Sequence, residues 1–151
     1  MQQSSINIRF YHPDDADEWL RLRCALWPES AIETHRDEMN AWLALPDSIV
    51  LVAARADGGG LAGFAEVGTR SVVDGCETSP VAYLEGWYVD ADVRRRGVGG
   101  ALVRSAEDWA RKKGFREFAS DAELENVLSQ EAHLALGFTE TERAVLYMKT
   151  L

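Results

Sequence analysis

The spacing of apolar residues changes period several times along the chain, and each change predicts an element. In Ile6-Asn7-Ile8-Arg9-Phe10 apolar and polar side chains alternate, as in a half-buried strand. His12-Pro13-Asp14-Asp15 then opens a helix, since proline suits a first turn and acids suit its positive end. Trp19, Leu22, Leu26 and Trp27 follow at helical spacing until Pro28, and Ile32, Met39, Trp42 and Leu43 predict a second helix ending near Pro46. Residues 48–53 are a β-rich run. The turn Asp57-Gly58-Gly59-Gly60 accepts positive φ and residues 61–67 return as a strand, which predicts a hairpin. After a loop through residues 74–80, residues 81–89 predict the third strand of a meander. Gly86 inside it marks a bulge or a close backbone approach.

Past Asp92 a glycine-rich loop leads into a helix with Val98, Leu102, Ser105 and Trp109 on one face, stopping at Gly114 after Arg111-Lys112-Lys113. Residues 115–121 predict a strand and residues 126–136 a helix closed by Gly137. Phe138 and two short strands through Val145 to Lys149 follow. The order β-α-α-β-β-β-α-β-α-β-β describes an α+β fold: a mixed, mostly antiparallel sheet flanked by helices on both faces, with residues 1–151 as a single domain.

Composition narrows the function. The 16 Lys and Arg against 25 Asp and Glu leave a net charge of −9, which disfavours nucleic acid and anionic membranes as partners. An acidic cleft would concentrate a cation, although net charge often serves solubility alone. A domain of about 150 residues buries close to 70% of its unfolded surface and needs no metal or disulfide to hold a core. Cys24 and Cys76 lack metal-site spacing, so no metal is expected and both read as small packed residues. No secretory leader pattern opens the chain and no apolar run approaches the ~20 residues of a membrane span, so a soluble cytoplasmic protein is expected.

The densest positive charge lies in Arg94-Arg95-Arg96-Gly97-Val98-Gly99-Gly100-Ala101-Leu102, between a strand and a helix. Glycines there let main-chain N–H groups converge at a helix N-terminus, a natural pyrophosphate cradle, and arginines add forked bonds to phosphate. A tight turn with a solvated basic face is the plainer reading. A nucleotide P-loop fails for want of a Lys-Ser/Thr pair. A dinucleotide fingerprint is closer, with Asp121 roughly 20 residues on, but Leu102 and the preceding meander depart from it.

Arg94-x-x-Gly97-x-Gly99 after a bulged strand, with Asn126 and Leu136-Gly137-Phe138, resembles the acetyl-coenzyme A signature of the GCN5-related N-acetyltransferase superfamily. Leu26-Trp27-Pro28, Thr78-Ser79-Pro80, Leu84-Glu85-Gly86, Ala119-Ser120-Asp121 and Gly137-Phe138-x-Glu140-Thr141-Glu142 together are similar to bacterial aminoglycoside 6′-N-acetyltransferases. The resemblance implies that acetyl-coenzyme A is the cosubstrate. Its pyrophosphate would lie on Arg94, Arg95, Arg96, Gly97, Val98, Gly99 and Gly100, and its pantetheine arm along Trp87, Tyr88 and Val89, with Asn126 bonding the arm. An N–H near Tyr88 would stabilise the thioester oxygen.

On the same resemblance Glu85 and Asp121 hold the ammonium groups of an aminoglycoside or relay a proton from its 6′-amine, while Glu142 and Trp27 add substrate contacts. His133 stands where many members carry a tyrosine, so His133 and Tyr147 are both candidates to protonate the leaving thiolate. Relatives with an aromatic in the substrate-side loop differ from this chain, which has Val72 and Val73. The expected reaction is direct attack in a ternary complex, conferring antibiotic resistance, by a homodimer to which Val145-Leu146-Tyr147-Met148 contributes a strand. An acetyltransferase for another polyamine or a protein N-terminus, and a sensor that binds acetyl-coenzyme A without turnover, are the alternatives.

Overall fold

A computed structural model describes residues 5–151 and resolves the pattern into five strands and four helices. These are β1 (Ile6–Phe10), α1 (Ala16–Leu26), α2 (Ile32–Ala44), β2 (Ile49–Arg55), β3 (Leu61–Arg70), β4 (Val81–Val89), α3 (Val98–Lys112), β5 (Phe118–Ser120) and α4 (Val127–Ala135). The strands form one sheet in the order β1-β2-β3-β4-β5. Its first three pairings are antiparallel and the β4–β5 pairing is parallel, giving the mixed α+β sheet expected from the sequence.

Helices cover both faces. On one, Trp19 and Leu22 of α1 and Met39 of α2 pack with Val50, Val52 and Phe64. On the other, Leu102, Val103, Ala106 and Trp109 of α3 pack with Leu51, Ala65, Val67, Ala82 and Leu84. Trp19, Leu22, Phe64 and Leu102 are fully buried, each contributing about 1.5–3 kcal/mol by leaving water. The opening of α1 is a short 3-10 turn, Pro13–Asp15, whose Asp15 carboxylate accepts from His12 N–H at 2.8 Å and pairs with Arg9 of β1 at 2.7 Å.

Two expectations are corrected. The strand predicted over residues 115–121 shrinks to Phe118–Ser120, because parallel pairing with β4 stops at Leu84. The two short strands through Val145 to Lys149 are absent: residues 138–151 form neither helix nor strand, and Leu146 and Tyr147 are each 92% exposed. A strand exists only against a neighbour that satisfies its N–H and C=O groups, and this segment lies along no edge of its own sheet. In the other direction, β3 runs three residues past its expected end, to Arg70 opposite Val81.

Candidate active site

The sheet is forked at β4. Its parallel pairing to β5 runs Ala82↔Phe118, Tyr83↔Ala119 and Leu84↔Ser120, then ends. On the other side the register to β3 shifts, with Val67 opposite Leu84 and Glu66 opposite Gly86, so Glu85 is the extra residue of a β-bulge. Beyond Leu84 the outward-facing main-chain groups of β4 have no strand opposite, and they can bond an extended ligand.

Gly86 is required by a close approach. A Cβ there would stand 2.8 Å from Cη2 of Trp27, the residue closing α1. The Trp27 indole is held from behind: it stacks on His35 at 6.5 Å, meets Phe64 edge-on at 6.4 Å and lies under the Arg23 guanidinium at 4.8 Å. His35 is wholly buried. Its Nδ1 takes the Arg23 Nε–H at 3.4 Å, which leaves Nε2–H to donate to the Trp27 carbonyl at 3.1 Å. Arg23 also pairs closely with Glu66 and Glu38, and Trp19 Nε1 donates to Glu66 at 3.0 Å. Burial pushes the Glu66 carboxyl above its ordinary value against the pull of Arg23.

In front of the bulge stands a second ionic group. Arg70 donates to both oxygens of Glu85 at 2.9 Å, lies 3.7 Å from Asp121 and covers the Tyr83 ring at 3.6 Å. The Tyr83 hydroxyl donates to Asp121, and burial first, then that bond, hold its phenol well above the usual value. The two acids singled out in the sequence therefore share one cation. Arg70 and Tyr83 escaped the sequence reading, although Tyr83 and Glu85, two apart on one strand, were a signal for a common face.

At the other end of the fork, Arg95 and Gly97 take positive φ, 62° and 79°, and Gly97 caps α3. The first intrahelical bond runs from Ala101 N–H to the Gly97 carbonyl at 2.9 Å, so the amides of Val98, Gly99 and Gly100 head the helix with no intrahelical acceptor. With the helix dipole they suit an anion, and Arg96 stands beside them. Arg94 instead folds back, donating to the Val89 carbonyl at 2.9 Å and facing the Tyr88 ring at 5.4 Å. Trp87 is turned toward α3. Its Nε1 donates to the Gly99 carbonyl at 3.2 Å, and a Cβ on Gly99 would lie 3.1 Å from the indole, so Trp87 faces the cleft only through its main chain.

Asn126 caps α4 by accepting the Ser129 N–H at 3.1 Å. His133 sits at the base of the fork: Nδ1 is 2.6 Å from the Ser129 carbonyl and Nε2 is 2.8 Å from Ser120 Oγ, itself 3.2 Å from the Leu84 carbonyl. Trp87 and Phe138 flank its ring at 5.3 and 5.2 Å. Glu142 and Tyr147 are not brought to this group. Both are exposed in the C-terminal segment, which rests on the loop before β4 where Thr141 Oγ1 reaches the Asp74 carbonyl at 3.4 Å. Among the described residues no cluster of His, Cys, Asp and Glu could hold a metal, and no helix is long and apolar enough to cross a membrane.

A forked β4, a bulge beside paired acids and a glycine-capped helix define a class, and residues 16–138 match the acetyltransferase (GNAT) family, to which the chain belongs. Among named relatives, it is 48% identical over 91% of its length to the aminoglycoside N(6′)-acetyltransferase type 1 of Serratia marcescens, covering 94% of that protein. It is 44% identical to the enzyme of that name from Klebsiella aerogenes, over 98% of this chain and 99% of that one. Among solved structures it is similar to AAC(6′)-Iy in complex with the bisubstrate analogue CoA-S-monomethyl-acetylneamine, with a TM-score of 0.91, 37% identity and coverage of 98% and 100% of the two chains.

Proposed function

We propose that this chain is an aminoglycoside 6′-N-acetyltransferase that moves the acetyl group of acetyl-coenzyme A to the drug's 6′-amine in a ternary complex, lowering the drug's positive charge and conferring resistance. One observation carries the reading: the fork opens at the bulge beside Glu85 and Asp121 and ends at the free amides of α3. The residues suit the cosubstrate, with N–H donors and Arg95 and Arg96 for its diphosphate and the unpaired β4 edge at Trp87, Tyr88 and Val89 for its amide-bearing arm. Asn126 keeps its side-chain NH2 for the same arm while its oxygen caps α4.

In this reading Glu85 and Asp121 hold and orient the acceptor, and Trp27 offers a flat face to a sugar ring. The neutral amine nitrogen bonds to the acyl carbon as the carbon–sulfur bond breaks, its surplus proton leaves through water to Glu85 or Asp121, an amide near Tyr88 supports the carbonyl oxygen, and the thiolate receives a proton. His133 delivers it through Ser120. With Nδ1–H on the Ser129 carbonyl and Nε2–H on Ser120 Oγ, His133 would pass a proton to Ser120 as the Ser120 O–H turns from the Leu84 carbonyl toward the thiolate. Tyr147 is the other candidate donor, and Glu142 the further acceptor contact; both depend on the C-terminal segment.

That segment supports the homodimer. Val145, Leu146, Tyr147 and Met148 are exposed, and β5 is an open edge of the sheet, so a strand from a second copy would cover both. Residues 1–151 act as one cytoplasmic domain. Release of free thiol with kanamycin or tobramycin, and none with a 6′-hydroxyl analogue, is the expected result. Turnover only with other amines would move the chain to the polyamine alternative, and binding without thiol release would make it a sensor. Loss of turnover in His133→Ala, but not in Tyr147→Phe, is expected if His133 is the donor.

A further inference from the structure

We propose that Arg70 is an internal counter-cation of the acceptor site, occupying Glu85 and Asp121 when the site is empty and yielding them to the ammonium groups of the substrate, so that it sets acceptor affinity. The proposal rests on the acceptor reading given above. The guanidinium spans both acids and stacks on Tyr83, the ring that also binds Asp121. It therefore sits where a substrate cation would find its two carboxylates.

Three features make it exchangeable rather than structural. Its side chain is 45% exposed, whereas Arg23, in the chemically similar cluster behind Trp27, is 4% exposed. It ends β3, where the chain turns into the loop before β4, and a side chain there can swing without moving the sheet. Its hydrogen-bond and ion-pair partners, Glu85 and Asp121, both belong to the acceptor group, and its one contact with a buried side chain is the stack on the Tyr83 ring. Exposed ion pairs are weak, and a polycation bringing several ammonium groups outcompetes a single guanidinium. Acetylation removes one of those charges, and Arg70 then reclaims the carboxylates as the product leaves.

The test is calorimetric titration of kanamycin into coenzyme A-saturated protein, for the wild type, Arg70→Gln and Arg70→Lys, at low salt and at high salt. Arg70→Gln should bind roughly three- to tenfold tighter at low salt, from the loss of an exposed pair and its ring contact. The gap should close at high salt, and Arg70→Lys, which keeps the charge, should stay near the wild type. Equal or weaker binding by Arg70→Gln, with the wild type still binding and acetylating the drug, overturns the counter-cation and makes Arg70 a brace for Glu85. No binding and no thiol release in any of the three proteins sinks the acceptor reading itself, and this proposal with it.

Discussion

The chain uses one ionic device twice, on either side of Gly86. Behind the bulge Arg23 joins Glu66 and Glu38 and lies over Trp27; in front Arg70 joins Glu85 and Asp121 and lies over Tyr83. The parts match, but the solvent does not. Arg23 and Glu66 are sealed from water, so each is held by the large cost of leaving the other unpaired. Arg70 can return to water at small cost. Burial thus decides whether an arginine between two acids is scaffold or occupant.

Five variants break or sharpen that contrast. Arg23→Ala strands a buried carboxylate and should cost about 3–5 kcal/mol in urea unfolding, while the apolar double variant Arg23→Met with Glu66→Leu should recover most of it. On the proposed acceptor role, Glu85→Ala removes a carboxylate that binds the drug's ammonium group, so kcat/KM for kanamycin should fall roughly tenfold to a hundredfold, with coenzyme A affinity unmoved. Gly86→Ala drives a methyl into Trp27 and should cost about 1–3 kcal/mol, with a raised KM for the drug. Arg70→Gln should change stability by less than about 1 kcal/mol. If Arg70→Gln unfolds as readily as Arg23→Ala, the distinction between the two clusters is wrong.

The sequence carried those parts whose folding is local. Trp19, Leu22 and Leu26 mark the buried stripe of α1, and Ile6-Asn7-Ile8 the alternation of β1, because each element buries one face. Glycine within β4 pointed to the bulge, but only the register with β3 reveals Glu85 as its extra residue. What failed is non-local. The length of β5 depends on where β4 turns away, and the pattern 145–149 cannot pair without an edge beside it. The apolar pattern of β3 stops at residue 67, short of Arg70, and Arg94 reads as part of a basic run. Three more residues of β3 pairing bring the first to the acids, and a bond to the Val89 carbonyl turns the second toward the strand.

Trp87 ties the ends of the fork together. Its ring rests on Gly99 and its N–H holds that residue's carbonyl, so the first turn of α3 is pinned to β4 two residues from the bulge. The cleft is therefore a caliper with fixed jaws: an anion seated at the helix head sets how far along the strand its other end can reach, and arm length becomes a criterion for admission.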